Sequence, residues 1–323
     1  MAILTVPGED ELRALAAAFP SLGELHAVHG IQGGTVNSSY ALDFAAGRYF
    51  LRIYEEQDAT GAARESRVLA HLAGHGVMTP APLAGASGQM LFTIGGKPAA
   101  LFPWVNGDII CQAGVTLLHA HEVGRALARI HKAGHAPDAP LDAGRFGPTE
   151  LEKRCERVAL SNDLEAKAFA PSLRAACLEA TEKREQNEGR APSGLVHGDL
   201  FRDNVLWDRA NPMKIAALLD FESAHDGPFA FDLAVTILSW SYGATLDLSI
   251  ARALVEGYRS VRELERADRE VLFDEMRLAA LRFTITRITD DAIRVGKRWQ
   301  RFVERRQAVE ALGSKGLAEA LGL

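Results

Sequence analysis

The segment His197-Gly198-Asp199-Leu200-Phe201-Arg202-Asp203-Asn204-Val205-Leu206-Trp207, followed by Asp220-Phe221-Glu222, sets a candidate base and two candidate metal-holding oxygens close together in the chain. Apolar residues follow Asn204 and precede Asp220, so a hairpin between them returns both side chains to one end of the strands, near Asp199. Such a set suits phosphoryl transfer from ATP, where positioning and charge neutralisation do most of the work. In that chemistry Asp199 accepts the proton of the attacking hydroxyl. Asn204 and Asp220 hold Mg²⁺, a hard cation that takes few protein ligands beside phosphate and water. His197 reads as a packing residue of the loop. In a purely structural alternative, Asp199 and Asp203 cap turns and Asp220 ends a strand. That alternative must account for His197, Asp199, Asn204 and Asp220 together at this spacing.

The elements that must position this loop are legible in the periodicity. Leu12, Leu15, Ala16 and Phe19 recur at helical spacing behind Glu9 and Asp10, predicting a leading helix over Glu11–Phe19. β-like stretches follow at Leu25–Ile31, Ser39–Phe44 and Arg48–Tyr54, with Ala45-Ala46-Gly47 as a turn, which fits an antiparallel meander. Residues 58–75 read as one helix ending at Gly74 and Gly76, and short strands are predicted near Pro82–Gly85 and Pro98–Val105. Beyond Gly107 helical periodicity covers Val115–Ala133, Glu150–Ser161 and Leu164–Glu188. A β-like island at Gly194–Phe221 interrupts it, where Val205–Trp207 and Ile215–Leu219 flank a turn at Asp208–Pro212.

The chain of 323 residues is long enough for two domains or one two-lobed domain. An apolar fraction of 47% and a charged fraction of 24% are globular values and exclude a disordered or fibrous chain. With 36 Lys and Arg against 42 Asp and Glu, the net charge of −6 offers no positive field to a nucleic acid or an anionic membrane. Cys111, Cys155 and Cys177 form no CxxC pair, so reduced thiols in a cytoplasmic setting are expected. The first residues show no basic segment leading into an apolar one, and no apolar run approaches about 18 residues, so neither secretion nor membrane insertion is expected.

The string VHGDLFRDNVL, with LLDFESA and the AFDLA of residues 230–234, resembles the aminoglycoside phosphotransferase and choline kinase superfamily of protein-kinase-like folds. Residues 30–42, 96–107, 124–134, 257–264 and especially 280–290 (ALRFTITRITD is their C-terminal string) are similar to the bacterial type II homoserine kinases. The resemblance implies an α+β, bilobal, protein-kinase-like fold: a small antiparallel-sheet N-lobe over residues 1–104 and a larger, mainly helical C-lobe over 105–323. It implies ATP and Mg²⁺ as cofactors, a late Asp such as Asp232 bracing the catalytic loop, and a hydroxyl acceptor, L-homoserine first, in threonine biosynthesis. The alternatives are an aminoglycoside- or choline-type phosphotransferase and a non-catalytic nucleotide-binding regulator. Expected partners are a small-molecule substrate and, at most, a second copy of the chain.

Gly30, Gly33 and Gly34, with Asn37, Ser38 and Ser39, are the candidates for a turn over the phosphates, because absent side chains let backbone N–H groups approach oxygen; a plain hairpin turn is the alternative, and placement just before two strands favours the first. Arg52 stands where the superfamily usually has a phosphate-contacting Lys, and Glu65 on the next helix is its candidate partner. An exposed Arg and a solvated Glu are the plainer reading. Phe102, Trp104 and Val105 are candidates for gripping adenine through backbone groups, since Pro103 has no N–H to give; Trp104 also reads as core.

A carboxylate-bearing acceptor needs an arginine clamp, and an amine needs acids. Arg282 and Arg287 are the candidates for the first, and Glu222, Asp226 and Asp290 for the second, with Arg202 a further candidate on the substrate side. The stretch Arg287, Arg294, Lys297, Arg298, Arg301, Arg305 and Arg306, interleaved with Asp290, Asp291 and Glu304, reads as a solvated helix face.

Overall fold

Helix α1 (Glu9–Ala18) opens with Glu9, Asp10 and Glu11, which suit the positive end of its dipole. The computed structural model describes residues 3–32, 36–139, 141, 144, 146–290 and 299–323. The chain divides into two units, one of Met1–Gly107 with His135–Pro140 and Ala216–Leu219, the other of Asp108–Gly134, Leu141–Ile215 and Asp220–Leu323.

In the first unit α1 is followed by β1 (Leu25–Gly30), β2 (Ser38–Phe44), β3 (Gly47–Ile53), α2 (Ala59–Gly74), β4 (Phe92–Ile94) and β5 (Lys97–Pro103). The strands form one antiparallel sheet in the order β1-β2-β3-β5-β4. The two-residue period of β2 puts Ser38, Tyr40, Leu42 and Phe44 on one buried face. Leu51, Ile53, Ile94 and Leu101, with Leu15 from α1 and Phe19 just after it, complete this core. Asp58 caps α2 by accepting from the Gly61 N–H at 2.8 Å, and the helix buries Ala62, Glu65, Leu69 and Leu72 on one stripe. The strand expected at Pro82–Gly85 does not form. Pro80 and Pro82 have no N–H to give a ladder, although the Leu83 N–H still donates to the Leu101 carbonyl at 2.7 Å. The edge strand is β4 instead.

From Gly107 onward the chain forms β6 (Gly107–Asp108), α3 (Leu117–Ala133), α4 (Pro148–Ala159), α5 (Leu164–Asn187), β7 (Ser193–Val196), β8 (Val205–Asp208), β9 (Ile215–Leu218), β10 (His225–Pro228), α6 (Phe229–Trp240), α7 (Leu248–Arg259), α8 (Arg266–Thr289) and α9 (Gln300–Leu321). The expected turn after β8 is present, the Asp208 N–H donating to the Lys214 carbonyl at 2.9 Å. Every residue of α6 is buried, as a helix apolar all round requires. Helices α3 and α7 approach so closely that a Cβ on Gly124 would lie 2.0 Å from the Leu254 carbonyl oxygen. Strand β7 pairs antiparallel with β10, His225 opposite Val196, which sets the loop after β7 beside the turn before β10. Among the described residues no helix is long and apolar enough to cross a membrane.

Candidate active site

The loop His197–Asn204 leaves β7 through Gly198, whose φ is +74°. A Cβ there would lie 2.8 Å from the Ser223 carbonyl oxygen, so glycine is what allows this loop to lie against the turn Phe221–Ser223. The backbone is then fixed from several sides. Asp232, in the first turn of α6, accepts from the N–H groups of His197 at 2.7 Å and Gly198 at 2.8 Å. The Leu200 carbonyl accepts from Trp240 Nε1 at 3.0 Å and from Ser239 Oγ at 3.1 Å. Arg282, buried on α8, donates to the Gly198 carbonyl and lies over the rings of Phe146 at 4.4 Å and Phe283 at 4.6 Å.

Behind Asp232 a buried network continues. His131 Nε2 lies 3.1 Å from Asp232 Oδ2 and its Nδ1 lies 2.7 Å from the Tyr258 hydroxyl. Arg262 donates to that hydroxyl at 3.0 Å and to Asp268 at 2.9 Å. Burial pushes the Asp232 carboxyl up, but His131 and the Gly198 amide outweigh it and hold the group below the usual carboxylate range. Burial pushes His131 down, against the attraction of Asp232. His197 is fully buried beside Phe221, with ring centroids 4.5 Å apart, in the packing place the sequence suggests.

Asp199 is half-buried at the head of this scaffold. Burial pushes its carboxyl above the usual range and the Asp220 charge adds to the push, while Arg282, His197 and Arg287 oppose it. Asn204 Nδ2 donates to the Asp199 carbonyl at 2.7 Å, which fixes the amide and leaves Oδ1 as the atom for a ligand. Asp220 sits at φ 63°, ψ 69°, and among the described residues it is the only non-glycine in the left-handed region. Asn204 Oδ1 and the Asp220 carboxylate are hard oxygen donors, and the repulsion between Asp199 and Asp220 is what a divalent cation would relieve. The residues present therefore fit Mg²⁺ held by Asn204 and Asp220 together with phosphate and water. Among the described residues there is no cluster of three or more His, Cys, Asp or Glu that would make an all-protein cage.

Of the acceptor-side candidates, Arg282 and Arg287 of α8 act electrostatically on Asp199. Arg287, half-buried on α8, is pushed down by burial while Asp199, Asp203 and Asp290 pull it back up. Arg202 donates to Gln112 Oε1 and to the Ser239 carbonyl, contacts that sequence reasoning did not foresee. Glu222 is half-buried in the turn directly after Asp220, and Asp226 is exposed on β10 opposite Leu195. Arg282 is placed as a prop of the Gly198 carbonyl.

On the nucleotide side, Arg52 of β3 and Glu65 of α2 form an ion pair at 3.1 Å, and Gln57 Nε2 holds the other Glu65 oxygen at 3.0 Å. Ser38 is fully buried, its Oγ accepting from the Leu4 and Thr5 N–H groups and donating to Glu55. Asn37 Oδ1 accepts from the Glu55 N–H at 3.1 Å. The Ser38 hydroxyl is thus committed to the N-terminal segment and to Glu55. Gly33 and Gly34 lie outside the described residues. Phe102 is buried in β5, which ends at Pro103, and Trp104 and Val105 are half-buried just beyond it, Trp104 Nε1 donating to Asn106 at 3.1 Å.

A model of the phosphotransferase enzyme family matches residues 27–267. A homoserine kinase of Caulobacter sp. (strain K31) is 33% identical over 300 residues, covering 90% of this chain and 89% of that protein. A homoserine kinase of Chelativorans sp. (strain BNC1) is 33% identical over 296 residues, covering 90% and 88%. Among solved structures, an amicoumacin kinase in complex with AMP-PNP and Ca²⁺ superposes with a TM-score of 0.68 at 17% identity, covering 94% of this chain and 92% of its own. That likeness is one of fold, and it is the protein-kinase-like fold that the catalytic-loop string implies.

Proposed function

The chain belongs to the phosphotransferase enzyme family, and on that premise we propose that it transfers the γ-phosphoryl group of ATP to the hydroxyl of L-homoserine, giving O-phospho-L-homoserine for threonine biosynthesis. The single observation that carries the reading is the setting of Asp199: a half-buried carboxyl raised by burial, with Asp220 as a like charge and the arginines of α8 opposing it. The identity of a third with homoserine kinases, over nine-tenths of the chain, supports homoserine as the acceptor.

Asp199 orients the acceptor hydroxyl and takes its proton as the new oxygen–phosphorus bond forms and the bond from the γ-phosphorus to the ADP oxygen breaks. Asn204 Oδ1 and the Asp220 carboxylate hold Mg²⁺, which when bound neutralises charge on the phosphate oxygens. Arg52, kept in place by Glu65, meets a phosphate of the nucleotide. Arg282 positions the loop through Gly198, while Glu222 or Asp226 meets the substrate ammonium.

ADP release measured against homoserine, choline, ethanolamine, kanamycin, serine and threonine tests the proposal. Homoserine is expected to give the highest kcat/KM. Faster turnover of choline or kanamycin would replace it with a kinase for another amino alcohol or for an aminoglycoside.

A further inference from the structure

Within the basic C-terminal stretch Arg305 does not lie on the solvated face that the charge alternation suggests, whereas Arg301 is exposed. Arg305 is 8% exposed, with its guanidinium 4.4 Å from the Phe302 ring centroid and 5.2 Å from that of Tyr242. Arg287 reaches the same Phe302 ring at 5.7 Å. Arg301 donates to the Gly243 carbonyl at 3.2 Å, and Arg202 donates to the Ser239 carbonyl and to Gln112, which in turn donates to the Trp240 carbonyl at 3.0 Å. The stretch Ser239–Gly243, running from the last turn of α6 into the link to α7, and Phe302 therefore gather Arg202, Arg287, Arg301 and Arg305 in one place. Arg294, Lys297 and Arg298 lie outside the described residues.

This cluster differs from three other partly buried arginines of the same unit. Arg184, Arg262 and Arg277 each meet a carboxylate, at 2.8, 2.9 and 2.7 Å. Among the described residues no carboxylate forms an ion pair with Arg202, Arg301 or Arg305, and the buried Nε of Arg305 has no hydrogen-bond acceptor. Burial pushes Arg305 down to about 10, and the charges of Arg301, Arg202 and Arg287 push the same way. A buried guanidinium with like charges around it is costly unless an anion joins it, and the planar fork is matched to a carboxylate. The cluster borders the catalytic loop: Arg202 belongs to it, and Arg287 feels both Asp199 and Arg305.

We propose that Arg305, with Arg301 and Arg202, forms the subsite that takes the carboxylate of the phosphoryl acceptor and so makes the enzyme select amino-acid hydroxyls over plain amino alcohols. The inference rests on the proposed function and names residues for its specificity. A phosphoryl oxygen is the other anion such a cluster could hold. Arg287 of the cluster acts directly on Asp199, the candidate base for the acceptor hydroxyl, which favours the acceptor.

The test compares L-homoserine with 3-aminopropan-1-ol, which keeps the hydroxyl and amine but lacks the carboxylate, in wild type and in Arg305→Met, Arg305→Lys and Arg301→Gln. KM for homoserine should rise roughly ten- to hundredfold in Arg305→Met and by a smaller factor in Arg301→Gln. KM for ATP and the kinetics with 3-aminopropan-1-ol should stay within about twofold, so the wild-type preference narrows. Arg305→Lys should recover part of the loss. If Arg305→Met does not fold, Arg305→Lys, which keeps the stem and charge, and the exposed Arg301→Gln carry the test. An unchanged homoserine KM, an equal loss for both acceptors, or a rise in KM for ATP alone overturns the proposal, the last assigning the cluster to phosphate. Failure of the functional reading looks different: wild type itself would not use homoserine. The comparison is then made on whichever acceptor it does use, and a preferred acceptor without a carboxylate overturns the subsite as well.

Discussion

Asn204 Nδ2 donates to the main-chain carbonyl of Asp199 across 2.7 Å, so the candidate base and one candidate metal ligand ride on the same short turn. A change in one is felt by the other, and their variants separate only when binding and turnover are measured apart. Asp199→Asn should keep nucleotide affinity within about threefold while kcat falls ~10²–10⁴-fold. A residual rate above a tenth of wild type would remove Asp199 from the role of base.

The raised carboxyl of Asp199 also has a stability signature. The folded protein holds that proton more tightly than the unfolded chain does, so this group's contribution is complete below the unfolded value near ~3.9 and is lost as pH rises through the folded value. Near neutral pH, without nucleotide or divalent cation, Asp199→Asn should therefore have a higher Tm than wild type while being inactive. A lower Tm in thermal melts would contradict the burial argument.

Asp220→Ala should abolish Mg²⁺-dependent ATP binding, and Asn204→Ala should weaken it about tenfold or more, because each removes an oxygen from the cation at the phosphates. Calorimetry with Mg-ATP decides. Unchanged affinity in both variants would refute the assignment.

Removing Asp232 uncovers the N–H groups of His197 and Gly198 and the ring of His131 at once. Asp232→Ala should cost about 3–5 kcal/mol in denaturant unfolding, the range for breaking a buried pair. The two buried groups also set an acid limb. Asp232 is held low in the fold, so its stabilisation is present above ~3.9 and is lost as pH falls through the folded value. For His131, also held low, the unfolded chain takes the proton first, so stability declines as pH drops below ~6.5. The Tm of wild type should fall from pH 7 to pH 5, and by less in His131→Gln.

Arg52→Ala should raise KM for ATP about tenfold, with Arg52→Lys milder. Because Arg52 and Glu65 are paired at 3.1 Å, Glu65→Ala should add little to Arg52→Ala. Full additivity in the double mutant would mean that the pair does not act on nucleotide binding.

The catalytic-loop residues were readable because they lie within one local string and a hairpin whose apolar strands announce it. Arg52 and Glu65 were readable because a strand and the next helix fix which side chains can meet. Of the support behind them only Asp232 was named, through the family resemblance. That His131 of α3 and Tyr258 of α7 join it was not legible, because no local period shows that three distant helices share one buried network. Arg305 was misread for a similar reason: alternating charge looks solvated until Phe302 and Tyr242 close over it. At Pro82–Gly85 the apolar run suggested a strand, while the missing proline donors decided against one.

The two main-chain N–H groups that end on Asp232 bear on when the loop can open. Loops usually surrender their amide protons to solvent quickly, through small local fluctuations. Here the amides of His197 and Gly198 point inward at a carboxylate buried among helices, so solvent deuterons reach them only when the helical bundle itself comes apart. The segment next to the chemistry should rank with the slowest-exchanging backbone in the molecule, and loss of activity on heating should coincide with melting of the bundle and not precede it.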